Sequence, residues 1–222
     1  MDSLSGEKKY FVNANANKQQ FENHIQLEQV IRPNELSANK VHNLRLSSKI
    51  LNNLVIQPKQ ILSLWHLIGA PIASNGYKMG RAIVNNQLSE DTGGGLCQLS
   101  GMLYHLSLLG GLEILERHPH SIDLYDESNR YTPLGSDATI AYGYKDLRIR
   151  NNGEHPVAFY FDVQDEVFIG VLTSPVFIEK QSIRFDIKNS KDGKLVKTIR
   201  ANTSGEQTYF DQSFYKNMPN PH

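Results

Sequence analysis

The sequence predicts an α+β fold, with helices in the N-terminal half, a mostly antiparallel β-sheet in the C-terminal half and the one cysteine at a helix N-terminus. Three observations carry this prediction. Residues 35–54 and 96–109 repeat apolar side chains at helical spacing. From Thr139 onward, short β-rich runs are separated by turns containing Asn, Asp and Gly. Three consecutive glycines stand immediately before the second helical stretch. A length of 222 residues suits one large domain, or one domain with an appendage. It divides into an N-terminal segment (1–36), a main domain (37–172), and a hairpin extension with tail belonging to the same domain (173–222).

Taken in order, residues 1–20 are rich in Asn, Gln and Lys, include the low-complexity patch Asn13–Asn17, and read as a loose or edge segment. Val41, Leu44, Ile50, Leu51 and Leu54 then mark an amphipathic helix, with Ser37 as its N-cap. Pro58 closes a turn, and Ile61–Trp65 is an apolar run of ambiguous type. After Gly93-Gly94-Gly95, Leu96, Leu99, Leu103, Leu106 and Leu109 define the second helix, and Gly110-Gly111 stops it. Leu112–Leu115 reads as a strand, as do Arg148–Arg150, Val157–Val163 and Val167–Leu172. Ile183–Ile187 and Leu195–Ile199 flank Lys191-Asp192-Gly193 as a hairpin, and the tail from Asp211 reads as frayed.

Composition excludes several classes of function. Lys and Arg number 23, as do Asp and Glu, and a formal charge of zero argues against a nucleic-acid or anionic-membrane surface. One cysteine excludes an intrachain disulfide framework and a multi-cysteine metal site. The first ten residues carry no apolar signal-peptide core, and neither Ile61–Ala73 nor Leu96–Leu115 makes a comfortable membrane span. As written, the chain is expected to be soluble and cytoplasmic, and extracytoplasmic if its N-terminus is truncated.

The chemistry gathers around Cys97. Three glycines cost backbone entropy and permit close approach at a helix start. A thiol in the first helical turn meets unpaired N–H groups and the positive end of the macrodipole, which favour thiolate. The N–H groups of Cys97 and Gln98 are candidates for an oxyanion site, and Gly94 and Gly95 for substrate contact. His118 and His120, one residue apart, fall on the same face of an extended segment, and either suits a general base. Asp137 is placed to orient an imidazole, and Arg117 to bind a substrate carboxylate or to pair with Glu116 or Asp137. His105, Trp65 and Tyr77 read as packing.

These residues resemble a known family. Gly93-Gly94-Gly95-Leu96-Cys97-Gln98-Leu99-Ser100 resembles the G-G-G-[ILM]-C-Q-[VLM]-S signature of the VanW family. Leu112–Ser121, Gly135–Ile140 and Asp146–Asn152 resemble its later blocks, and the likeness runs from Asn39 to Ile169. The family's P-G-E-x-F-S stands here as Pro58-Lys59-Gln60-Ile61-Leu62-Ser63, without the Gly. The resemblance implies a link to glycopeptide resistance and peptidoglycan, with a stem peptide or its precursor as partner and no cofactor or metal. It implies an L,D-transpeptidase-like acyl transfer with Cys97 as nucleophile, His120 as base, His118 as the alternative base, and Asp137, Arg117 and Gln98 in the site. Two other readings stand beside it: a non-catalytic module that binds stem peptide or glycopeptide, and a metal site made by Cys97, His118 and His120.

Overall fold

A computed structural model describes residues 4–84, 87–123, 130–201 and 205–217. In chain order, a short helix α1 (Leu4–Glu7) precedes strand β1 (Asn23–Val30) and helix α2 (Ser37–Leu51). Then come β2 (Val55–Ile56), β3 (Ile61–Ser63), α3 (Leu64–Ile68), β4 (Met79–Val84) and β5 (Gln87–Thr92). Helix α4 (Leu96–Leu109) leads into β6 (Glu113–Glu116), β7 (Arg148–Arg150), β8 (Val157–Val163) and β9 (Val167–Ser174). The chain closes with β10 (Ser182–Asn189), β11 (Gly193–Ala201) and β12 (Gln207–Lys216). The α+β class therefore holds, with strands in both halves. The sheets are ordered β1-β9-β8-β2, β3-β7-β6, β10-β11-β12 and β4-β5, and every ladder is antiparallel.

Helix α4 is buried along almost its whole length, including Leu96, Leu99, Met102, Leu103, Tyr104, Leu106 and Leu108. An all-round apolar helix belongs in the middle of a fold, and α4 packs between α2, β1, β6, β9 and β10. Among the described residues, no helix is long and apolar enough to cross a membrane.

Several local expectations are corrected. Ser37 is the first helical residue, not the cap: Asn34 Oδ1 accepts the Leu36 N–H at 2.8 Å, and Ser37 Oγ accepts the Asn34 N–H. The helix ends at Leu51, before Leu54, because Asn52 turns away to bond both backbone groups of Phe161 and Asn53 takes a left-handed φ of 61°. The ambiguous run Ile61–Trp65 divides at Ser63, whose Oγ caps α3 by accepting the His66 N–H. Strand β1 and the β4–β5 hairpin are elements that the sequence reading omits. The described part of the tail read as frayed, up to Lys216, belongs to β12 and pairs with β11; residues 218–222 lie outside the described residues.

Candidate functional site

The glycine run folds into a close-packed junction. Gly93 and Gly95 take left-handed φ values of 85° and 98°, and Gly95 is the N-cap of α4. A Cβ on Gly94 would stand 2.2 Å from the Gly80 carbonyl carbon, so the β4 backbone is what approaches there. Asn43 locks the junction from α2: its Nδ2 donates to Lys78 O at 2.9 Å and to Gly94 O at 3.0 Å, and its Oδ1 accepts the Lys78 N–H at 2.8 Å.

This junction delivers Cys97 into the first turn of α4 as a partly exposed free thiol. At helical spacing behind it, Ser100 donates to Ala138 O at 2.5 Å, and the backbone of residues 136–138 passes over Gly101. The segment held in this way puts the Thr139 hydroxyl 3.7 Å from the Cys97 sulfur.

The same segment carries Asp137. Its Oδ2 accepts the His120 Nδ1–H at 2.7 Å and the His120 backbone N–H at 2.8 Å. An ionised carboxylate only accepts, so Nδ1 is the protonated nitrogen and Nε2 is left for the thiol. Burial pushes the Asp137 carboxyl up, but His120, Arg117 and Tyr215 more than offset this and hold it well below the usual carboxylate range. Burial also pushes the His120 imidazole down, while hydrogen bonding and charge from Asp137 and Cys97 bring it to a net rise. Desolvation likewise raises the Cys97 thiol, yet His120, the Ile140 N–H and the Thr139 hydroxyl bring it below its ordinary value. The arrangement favours thiolate beside imidazolium.

Behind Asp137 stands Arg117, with a side chain only 2% exposed. It donates to Asp137 O at 2.8 Å, Asp137 Oδ1 at 3.2 Å, Gly135 O at 3.1 Å, Asp211 at 3.0 Å and the Ser213 hydroxyl. Its guanidinium also lies 4.9 Å from the Tyr104 ring centroid. Tyr215 completes the cage by donating its hydroxyl to Asp137 Oδ1 at 2.5 Å.

The structure thus brings Cys97, His120 and Asp137 together, with Arg117 behind them. His118 goes elsewhere: its Nε2 bonds Glu116 at 2.9 Å, and Glu116 is also held by Arg148 at 2.7 Å. The two rings part because residues 117–120 lie outside any ladder, so strand alternation is not imposed on them. Among the described residues, no three His, Cys, Asp or Glu side chains are grouped to hold a metal, and the trio Cys97, His118 and His120 is not assembled.

The residues expected to contact substrate are engaged within the protein, and of the two readings of Arg117 the structure shows the pairing with Asp137. Arg117 has its donors engaged by protein acceptors and turns to Asp137, not to solvent. Gln98 is buried, with its side chain donating to Val30 O at 3.2 Å and its backbone N–H to Gly95 O at 2.9 Å. Gly94 makes its contacts with Gly80, Asn43 and Asp91. Gly95 shapes the helix start and lies under the Lys40 side chain, whose Cγ would be 2.6 Å from an added Cβ. Sequence reasoning missed Thr139, Tyr215 and Lys40. Thr139 lies two residues after Asp137, the spacing that puts alternate side chains of an extended segment on one side.

Comparison with known proteins places the site in a family. The VanW like protein family matches residues 39–172, the stretch that holds α2, the glycine junction, Cys97, His120 and Asp137. "Vancomycin B-type resistance protein VanW" of Enterococcus faecalis is 36% identical over 143 residues, 64% of this chain and 50% of that protein. "Uncharacterized protein YoaR" of Bacillus subtilis is 35% identical over 124 residues, 56% of this chain and 39% of that protein. The match therefore spans half or less of these curated relatives. No solved structure gives a significant match. On the family match, which takes in more than half of the sequence, the chain belongs to the VanW-like family.

Proposed function

We propose that this chain is a cysteine-dependent acyl transferase or hydrolase of the L,D-transpeptidase kind, acting on peptidoglycan stem peptides or their precursors. The observation that carries the reading is the Cys97 thiol in the first turn of α4, facing an imidazole that Asp137 holds at 2.7 Å. The name of the enterococcal relative ties that protein to vancomycin resistance and supports a cell-wall peptide as substrate.

In this mechanism His120 holds the thiol proton and the Cys97 sulfur attacks the amide carbonyl between an L- and a D-centre. The Cys97 N–H donates to no described residue, so it is free to meet the developing oxyanion. As the C–N bond breaks, the departing D-residue takes the proton from His120 Nε2. The amine of a second stem, or water, then attacks the thioester and passes a proton back to His120, and the C–S bond breaks to restore the thiolate.

The test is an exchange assay on muropeptides with and without Cys97→Ala. Release of the terminal D-residue by the native chain and its loss in the variant are expected. Equal release by both overturns the nucleophile, and no release by either favours a binding module.

A further inference from the structure

Among the described residues, two cations stand at the glycine junction before Cys97 without an anionic partner. Lys40 is in the first turns of α2, and its side-chain stem lies across Gly95, two residues before Cys97. Its ammonium is 6.0 Å from the Tyr131 ring centroid and within electrostatic reach of both Cys97 and Arg81. Arg81 comes from β4, whose Gly80 is packed against Gly94 in the same junction. Among the described residues, neither cation makes an ion pair or a side-chain hydrogen bond. Glu90 lies opposite Arg81 in the β4–β5 register but forms no ion pair with it. Burial, then the charge of Arg81, depress the Lys40 ammonium to about 8, while Cys97 acts the other way. A half-buried ammonium with a second cation beside it is a place where an arriving anion is favoured.

We propose that Lys40, assisted by Arg81, is a carboxylate-binding subsite for the terminal D-residue of the acyl donor. The proposal rests on the acyl-transfer reading above and names the group that the site recognises. Dimensions agree with it. In a peptide ending in a free carboxylate, that group lies roughly 4 Å from the carbonyl carbon of the preceding amide. A thiolate attacking that carbonyl therefore finds the carboxylate within a few ångströms, on the scale over which Lys40 and Cys97 interact. Capture there would orient the scissile amide over the sulfur and select donors with a free terminus.

The test uses two alkylating agents that read the same thiolate, iodoacetate, which carries a carboxylate, and neutral iodoacetamide. Their rate ratio cancels any change in thiol ionisation. The expected result is that Lys40→Met lowers the iodoacetate-to-iodoacetamide ratio by about tenfold, as loss of one nearby charge should. Arg81→Gln, at an exposed side chain, should lower it less, and Lys40→Arg should keep it. A ratio unchanged by Lys40→Met overturns the subsite, and one unchanged by Arg81→Gln alone removes Arg81 from it. A second arm compares a stem tetrapeptide having a free terminus with its C-terminal amide. If neither peptide reacts while the alkylation ratio still depends on Lys40, the acyl-transfer reading fails and the anion site stands. If both react equally in the native chain, the subsite fails and the transferase reading stands.

Discussion

At the scale of single residues, two neighbouring histidines have different partners, and only one faces the thiol. His120 is fixed at both its backbone N–H and its Nδ1 by one oxygen of Asp137, whereas His118 is bound to Glu116. His120→Ala should therefore slow iodoacetamide alkylation of Cys97 at pH 7 by about tenfold or more, while His118→Ala changes it less than about twofold. In the native chain, the alkylation rate against pH should have its midpoint below the ordinary thiol value of 9.0. Asp137→Asn should move that midpoint upward, because a neutral amide no longer sustains the imidazolium. The order Cys, His, Asp was legible in the sequence, since the thiol's helix-start position and the acidic residue beyond the histidines are chemical signals. Arg117 was not, because an arginine near a carboxylate suits a substrate contact and a buried clamp equally well. The acceptors at Gly135 and Asp137, together with those from β12, decide between them.

Among the elements, β12 shows why part of the fold was illegible. Its Asp211, Ser213 and Tyr215 alternate as a strand should, but they present polar groups to Arg117, so no hydrophobic alternation reaches the eye. β1 hides in a similar way, with Gln29 buried on the side where Ile25 is buried. The helix α4 and strands β8 and β9 were legible because apolar residues dominate them, and β7 because a turn of Asn and Gly follows it. Tyr215→Phe should cost about 1–3 kcal/mol in urea unfolding, since it leaves buried Asp137 and Arg117 short of a partner. The turn before β3 offers the opposite case. Lys59 holds a left-handed φ of 71° between Pro58 and a Gln60 N–H bonded to Gln57 O at 3.0 Å, a turn that favours glycine. Lys59→Gly should thus raise stability by about 1 kcal/mol, restoring the residue found in the family's pattern.

Over the whole molecule, the cage around Asp137 also sets the response to acid. Asp137 is depressed in the folded state, so its contribution is present above the ordinary carboxylate value of 3.8 and is lost as pH falls through its folded value. Glu116, depressed although burial opposes it, acts in the same sense through the Asp146 N–H, His118 and Arg148. His120 is raised, so its contribution is complete below 6.5 and is lost as pH climbs toward about 10, where the depressed Cys97 works in the opposite direction. The acid limb is therefore the clean one. Urea unfolding should give a free energy that is steady from pH 5 to 6 and falls steeply below about pH 4, with a shallower fall in Asp137→Asn.

The central claim is that Cys97 takes an acyl group from a stem peptide, and intact-mass measurement after mixing the chain with a stem tetrapeptide tests it most directly. The account predicts a transient adduct on Cys97 equal in mass to the peptide acyl portion without its terminal D-residue, absent in Cys97→Ala. A native chain whose mass never changes, or an adduct that persists in Cys97→Ala, would contradict it.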